Sequence, residues 1–443
     1  MFEKYNQVIE NLEPIKYTGS IERVQGLLIE SHGPQAVVGE LCEVHLPSST
    51  QPFWAEVVGL HDHTVQLMPF SETRGIEIGA KVVGTGSVLS VPVSPKLLGR
   101  VLNCLGKPID DGPEISAEEL YPVMNSPPDV LTRSAITEQI VTGVRAIDGM
   151  IPIGKGQRLG IFSGSGVGKS TLLGMVARNT SADVNVIALI GERGREVREF
   201  IENDLGPEGL ARSVVVVSTS DTPPLARLRG AYVATAIAEY FRDQGKDVML
   251  LFDSVTRFAR AQREIGLAIG EPPATRGFPP SVFEILPKLL ERCGTSDRGT
   301  ITGFYTILVE GDDMDEPIAD TVRGILDGHL VLSRKLATRY HYPAIDVMAS
   351  ISRLANRVST AEMRTHAGYL RRMLAVHADA EDLINVGAYA KGSNPEIDEA
   401  IEKVPAINQF LRQDVTEKTT LEQTQSALRI LATPAPEPSE PAE

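Results

Sequence analysis

The chain has 443 residues, 42% of them apolar and 5% aromatic, with 43 Lys and Arg against 58 Asp and Glu, a formal net charge of −15. That length and apolar content support two or three domains around a sizeable core. The negative charge and scarce aromatics exclude an extended nucleic-acid footprint, which needs clustered cations and stacking rings. Cys42, Cys104 and Cys293 stand far apart with no C-x-x-C spacing, the pattern of a reduced cytoplasmic protein without a zinc site. The start, MFEKYNQVIENLEP, is charged where a signal peptide is apolar, and no 18-residue apolar run occurs, so a soluble chain is expected.

Phe2, Tyr5, Ile9 and Leu12 fall at near-helical spacing ahead of Pro14, which predicts an amphipathic helix within residues 1–18. So short a helix is marginal in water, so it docks on the chain or binds a partner. Residues 19–93 read as short apolar stretches, VQGLLIE, QAVVGELCEVHL, FWAEVVGL and HTVQLMPF, with turn residues between them. They predict a small all-β barrel, with a Pro-containing hinge, SVPVSPKLLG, where it ends. In residues 94–362 the stretches QRLGIFSG, VNVIALIGE, SVVVVSTS and DVMLLFDS are nearly continuous β-formers, as strands buried on both faces must be. Helix-length stretches such as STLLGMVARNT and LRGAYVATAIAEYFRDQ separate them, which predicts a mostly parallel α/β sheet with helices on both faces. Residues 363–432 read as a helical domain. Ile397, Ala400, Ile401, Val404, Ile407 and Leu411 trace one helix face that Pro405 is expected to split in two. Thr419 and Glu422 spell a capping box ahead of Leu421, Leu428 and Leu431. Residues 433–443, TPAPEPSEPAE, have little to bury, and disorder is expected there.

The stretch SGSGVGKST, Ser163 to Thr171, approximates the phosphate-loop pattern G-x-x-x-x-G-K-[ST], with Ser163 where the first glycine belongs. It follows a predicted strand and opens a predicted helix, the context the motif requires. Gly164, Ser165, Gly166, Val167 and Gly168 let successive N–H groups curl around phosphate oxygens, and the helix that follows adds its positive end at Ser170 and Thr171. Lys169 would reach the β- and γ-phosphates of a nucleotide and the Ser170 hydroxyl would ligate Mg²⁺. In DVMLLFDS, Asp253 stands at a strand's C-terminal end, where open α/β sheets bind ligands, and can orient Mg²⁺ through its water shell. In ALIGERGREVREF, Glu192 ends another strand; it reads equally well as a carboxylate that orients the attacking water or as a surface acid paired with Arg193 or Arg195.

Together these residues resemble the RecA-like ATPases of the rotary ATP synthase group, and within it the ATPases of flagellar and type III protein export. LGRVLNCLGKPID and TGVRAIDGMIPIGKGQR carry the general resemblance, and PAIDVMASIS fits the group's signature. AQREIGLAIGEPPATRGFPPSVF and LVEGDDMDEPIADTVRGILDGHLVLSR carry the export-type wording. The resemblance spans about Ile21 to Leu431, and small residues in place of the first glycine are usual in that branch. It implies an α/β fold with a RecA-like P-loop ATPase core, an N-terminal β-barrel and a C-terminal helical domain. It also implies ATP and Mg²⁺ as ligands, Glu192 as general base with Arg193 beside the phosphates, and Arg257 as a phosphate-proximal cation. Tyr342 is implied as the adenine-packing aromatic and Arg353 as an arginine finger supplied in trans. The implied partners are a homohexameric ring, a stator-like regulator at the N-terminal helix, a coiled-coil stalk in the ring centre, and the export gate, chaperones and substrates. The implied place is the cytoplasmic face of the inner membrane. INVGAYAKGSNPEIDEAI resembles the flagellar more than the injectisome sequences. A non-catalytic ring subunit is disfavoured because Glu192 is present, and a Rho-like RNA-dependent helicase because of the charge.

Overall fold

The computed structural model describes residues 16–433 other than 73, 310 and 312. The expected N-terminal amphipathic run and the tail beyond residue 433 lie outside the described residues. Six strands, β1 (Thr18–Gln25), β2 (Leu28–His32), β3 (Glu40–His45), β4 (Phe53–His61), β5 (Thr64–Pro69) and β6 (Lys81–Val88), close a barrel in the order β1-β2-β5-β4-β3-β6. Alternation fills its interior with Ile21, Ile29, Val44, Val57, Leu67 and Val82. Cys42 belongs to that interior, and burial, then the Glu40 charge, push its thiol up to about 12. It packs as a small hydrophobe, not as a reactive group.

The first four residues of the stretch expected to be a hinge form a strand, and Pro95–Leu97 after them form a single 3-10 turn. Ser90–Val93, β7, pairs antiparallel with β9 (Glu119–Pro122), because alternation drives Val91 and Val93 into the core and leaves the backbone free to pair. Between them β8 (Val101–Leu102) joins the main sheet; after β9, β10 (Gln139–Ile140) forms a two-stranded ladder with β11 (Ile153–Gly154).

The main sheet contains β12 (Arg158–Ser163), β13 (Val184–Ile190), β14 (Ser213–Ser218), β15 (Asp247–Asp253), β16 (Gly294–Thr295), β17 (Thr300–Leu308), β18 (Gly328–Leu332) and β19 (Ile345–Ser352) beside β8. The order is β19-β18-β12-β17-β15-β13-β14-β8, with β16 paired to β17. All contacts along this path are parallel except that of the edge strand β19 with β18. The parallel strands β12, β13, β14, β15, β17 and β18 therefore end on one edge, and β19 runs back toward the other. Alternate residues separate two apolar layers. Val184, Val186, Ala188 and Ile190 of β13 enter one layer with Leu225 and Ala231 of the helix Pro224–Asp243. Ile187 and Leu189 enter the other, with Leu172 and Val176 of the helix Lys169–Asn179.

The second layer extends into the C-terminal helices Ala361–Asn385, Pro395–Leu411 and Leu421–Ala432 through Leu370, Met373, Ile407, Phe410 and Leu428. Pro405 does not split its helix: Pro395–Leu411 is continuous. The buried row Ala400, Val404, Ile407 and Phe410 holds it together across the one backbone bond that proline forfeits. The capping box is also one residue later than the sequence pattern indicated. Thr420 caps and Gln423 reciprocates, because the Thr419 hydroxyl is already engaged by Gln413 Nε2 at 3.0 Å.

One ion pair ties the barrel to the α/β core, and another locks the core itself. Arg229 of the long helix reaches Glu56 in the barrel, Nε to Oε2 at 2.7 Å. Deeper in, Arg292 grips Glu239 at 2.8 and 2.6 Å and donates to the Val123 carbonyl at 2.8 Å. Their side chains are 1% and 0% exposed. Removing one member strands the other charge without water. Glu239→Ala is therefore expected to cost about 3–5 kcal/mol, read as a lowered denaturant midpoint, and a midpoint unchanged from wild type contradicts this account.

Candidate nucleotide site

The phosphate edge is where the sequence-predicted residues converge. Strand β12 ends at Ser163, which continues the ladder to Leu308 and Leu332. Its side chain is buried, with no hydrogen-bond partner for Oγ, so a small residue at that position fits the strand end. The loop then turns through Gly166 at φ 75° and Gly168 at φ 88°, left-handed angles that a side chain would strain. Gly168 caps the helix Lys169–Asn179, whose first turn holds no acid. An anion is welcome at that helix end, and the backbone there is shaped for one.

Lys169 Nζ lies 2.5 Å from Asp253 Oδ1 and 3.4 Å from Glu192 Oε1. Asp253 ends β15 and accepts from the Thr306 hydroxyl of β17 at 2.7 Å. Glu192 follows β13 through Gly191, which turns at φ 74°. Its backbone is pinned by Ser220 N–H donating to its carbonyl at 2.9 Å. Arg257 pairs with Glu192 Oε2 at 3.1 Å and donates to the Gly191 carbonyl. Arg257 is itself fixed in the first turn of Val255–Ala268, where Ser254 caps. Two carboxylates and two cations are thus held at one sheet edge, and of the two readings the sequence leaves open for Glu192 the surface pairing is not formed, since Arg193 pairs with Glu196 and Arg195 with Glu199. The residue is buried beside Lys169 and Asp253, not on the surface with Arg195.

Burial, then the Asp253 charge, raises the Glu192 carboxyl to about 7, against the opposing pull of Lys169 and Arg257; a hydrogen bond with Glu196 adds to the rise. Burial works against the Lys169 ammonium, but Asp253 and Glu192 outweigh it and hold its pKa above the ordinary lysine value. A buried group that titrates near neutrality is suited to exchange a proton with water.

Tyr342 stands over the loop. A Cβ placed on Gly168 would lie 3.5 Å from its ring, and the residue is 41% exposed. It is an open aromatic face beside the phosphate cradle, not a core tyrosine. The C-terminal segment to which sequence reasoning assigned nothing reaches Tyr342 and the last turn of the loop helix. Gln413 N–H donates to the Tyr342 carbonyl at 2.9 Å, and Arg178 of the loop helix donates to the Val415 carbonyl at 2.8 Å.

Two candidates are not gathered in. Arg193 is exposed and pairs with Glu196 at 3.3 Å. Arg353 follows β19, whose Ser352 pairs with Gly328 at the start of β18, whereas Leu332 at the end of β18 lies beside Ser163. Arg353 therefore sits on the edge opposite its own phosphate loop, exposed, with a side-chain N–H 3.4 Å from the Arg323 carbonyl. Sequence reasoning missed Glu196, Thr306 and the Gln413–Val415 segment. Glu196 was within reach as the acid four residues after Glu192; the others come from distant parts of the chain.

Oxygen donors for a divalent ion are present in the Ser170 hydroxyl and the Asp253 carboxylate. Among the described residues no cluster of three His, Cys, Asp or Glu side chains could hold a metal alone. Such a sparse oxygen set suits Mg²⁺, which keeps waters and takes its remaining ligands from phosphates.

Comparison with known proteins agrees with this geometry. The nucleotide-binding domain of the ATP synthase alpha/beta family matches residues 143–352, the β-barrel domain of that family residues 21–86, and the T3SS EscN ATPase C-terminal domain residues 359–430. The chain is 60% identical to a flagellum-specific ATP synthase of Treponema pallidum, over 97% of this chain and 96% of that one. It is 52% identical to a type 3 secretion system ATPase of Xanthomonas euvesicatoria, over 92% of each. A solved structure of the assembled ATPase EscN of enteropathogenic E. coli, in complex with its central stalk EscO, superposes at a TM-score of 0.87 with 43% identity, covering 94% of this chain and all of that one. The chain belongs to the ATP synthase alpha/beta family, in its branch of flagellum-specific and type 3 secretion ATPases, and is a P-loop ATPase.

Proposed function

We propose that this ATPase converts ATP and water to ADP and phosphate within a homohexameric ring that drives flagellar protein export at the cytoplasmic face of the inner membrane. The single observation that carries the ring is the opposition of two sheet edges. The phosphate loop lies on one and Arg353 on the other, so the cation of one subunit serves only a neighbour's site. Head-to-tail contacts of that kind close into rings. EscN is described as assembled and with a central stalk; by similarity we place a coiled-coil stalk in the centre of this ring. A stator-like regulator at the N-terminal segment, and the export gate, chaperones and substrates, are proposed from the resemblance alone. Flagellar export is preferred for the stretch INVGAYAKGSNPEIDEAI and for the 60% identity to a flagellum-specific relative. Injectisome export is the second reading, supported by the 52% relative.

In the proposed mechanism the loop N–H groups of Gly164 to Thr171 and the Lys169 ammonium hold the phosphates, and Tyr342, with the Val415 segment, flanks the adenine. Ser170 and Asp253 would hold Mg²⁺, which when bound would neutralise charge on the phosphate oxygens. Lys169 exchanges its carboxylate partners for phosphate oxygens, and Arg257 keeps Glu192 oriented toward the attacking water. Glu192 takes the water proton. The neighbour's Arg353 meets the charge that develops on the γ-phosphate.

Three outcomes are expected. Lys169→Ala loses both nucleotide binding and turnover, whereas Glu192→Gln still binds ATP but hydrolyses it ~10²–10⁴-fold more slowly; wild-type turnover by Glu192→Gln contradicts the assignment. A base works only as its carboxylate, and that of Glu192 forms as pH rises through about 7. Accordingly kcat/KM, which reports the free enzyme, should climb with rising pH and level off above that value, and a flat profile between pH 5.5 and 8 removes Glu192 as the titrating base. Specific activity should rise steeply with protein concentration as rings form. Arg353→Ala should remain folded yet lose ~10³–10⁵-fold in turnover, and a wild-type rate at ring-forming concentrations refutes the finger.

A further inference from the structure

The backbone from which Arg353 projects is gripped by the start of the strand that leads to the subunit's own phosphate loop. Asp327, just before β18, accepts the Arg353 N–H on its carbonyl at 3.0 Å. The same carbonyl accepts from Gln157 Nε2 at 3.0 Å, so both of its lone pairs are engaged. Gln157 Nε2 also lies 3.0 Å from the hydroxyl of Ser352, the residue before Arg353. The Gln157 Oε1 accepts from Gly154 N–H at 2.9 Å. Every polar group of this amide is thus bonded, and the residue is fully buried. Its backbone is fixed as well, since Gly303 N–H of β17 donates to the Gln157 carbonyl at 3.0 Å. Arg158, the next residue, holds the Asp327 carboxylate, Nε to Oδ2 at 3.0 Å and Nη2 to Oδ1 at 3.1 Å. The end of β19 packs tightly against this corner, because Gly328 has no side chain; a Cβ there would stand 3.0 Å from Ser352 Cα. The Arg353 guanidinium itself is exposed, with one N–H 3.4 Å from the Arg323 carbonyl. A free cationic end therefore stands on a fixed base.

We infer that Gln157 is a positioning residue for hydrolysis in the neighbouring subunit: its amide, shared between Asp327 and Ser352, fixes the backbone that presents Arg353. The inference rests on the reading of Arg353 as a finger supplied in trans. An arginine side chain turns about several bonds and loses that freedom at a cost, so its reach is defined only if its base stays still. A displacement of about 1 Å can lower a rate ~10²-fold. The phosphate loop lies at the other end of β12, where Ser163 is held between Leu308 and Leu332. Loosening the base should therefore lower kcat and leave nucleotide binding intact. A purely structural role would lower the melting temperature, affinity and rate together.

The test uses the full-length protein, steady-state kinetics for kcat and KM, and a fluorescent ADP analogue for affinity, since ADP has no γ-phosphate for the finger to meet. Gln157→Met keeps the length and bulk of the side chain and removes its amide. It is expected to lower kcat by about tenfold or more, with affinity for the ADP analogue within about twofold of wild type. Ser352→Ala removes only the hydroxyl partner at a partly exposed position, and a drop in kcat of about threefold or more is expected. In an Arg353→Ala background neither change should lower kcat further, because both act through Arg353. If Gln157→Met does not fold, Ser352→Ala with and without Arg353→Ala is read in the same way. Wild-type kcat in the folded variants, a loss of ADP-analogue affinity as large as the loss of rate, or a full further loss in the Arg353→Ala background overturns the inference. Arg353→Ala separates the two readings. If it is slow while Gln157→Met and Ser352→Ala turn over normally, only the positioning role fails; if it turns over normally, the finger reading fails and the positioning role with it.

Discussion

The Lys169 ammonium, held between the Asp253 and Glu192 carboxylates, sets the terms for the rest of the molecule. Charges this buried are tolerable only when each has its partner in place, and the partners come from three separate strand–loop units. The parallel ladders bring those units to one edge: Ser163 beside Leu308, and Leu189 beside Asp253. A slip of one residue in any of them would reverse its inward and outward faces. It would also move a charge off the edge, so packing and electrostatics select the same register. The unbroken apolar runs of β13, β14 and β15 are the packing half of that bargain.

The same sheet parts two of the candidate residues that the chain carries close together in sequence. β19 turns back against β18, so Tyr342, just before it, remains at the phosphate edge while Arg353, just after it, is carried to the far edge. A single antiparallel strand thus separates Tyr342, beside the phosphate loop, from Arg353 on the opposite edge.

The C-terminal helices are not an appendage to this core. Their apolar row shares a layer with the phosphate-loop helix, and the segment after the second of them is bonded to the site. Gln413 donates from its backbone to Tyr342 and from its side chain to the Gly143 carbonyl, while its Oε1 accepts from Arg145 N–H. Arg145 in turn donates to the Phe410 carbonyl at 2.9 Å and pairs with Glu417. A displacement of Tyr342 would therefore be felt in the helical domain through hydrogen bonds already in place.

The sequence by itself determined the elements whose chemistry is local. The Gly-Lys-Ser turn, the apolar strands that end in Asp253 and precede Glu192, and the alternation that makes the barrel all depend on nearest neighbours and periodicity. The Ser90–Val93 strand, the unbroken helix across Pro405 and the shift of the cap from Thr419 to Thr420 were decided elsewhere. In each case a distant partner outweighed the local signal: β9 for the strand, the buried helix face for the proline, and Gln413 for the Thr419 hydroxyl. The same holds within the site. No spacing in the chain places Thr306 on Asp253, Gln413 on Tyr342, or Arg353 on the edge away from its own loop. Those relations are fixed by strand order and direction, which only the folded sheet supplies.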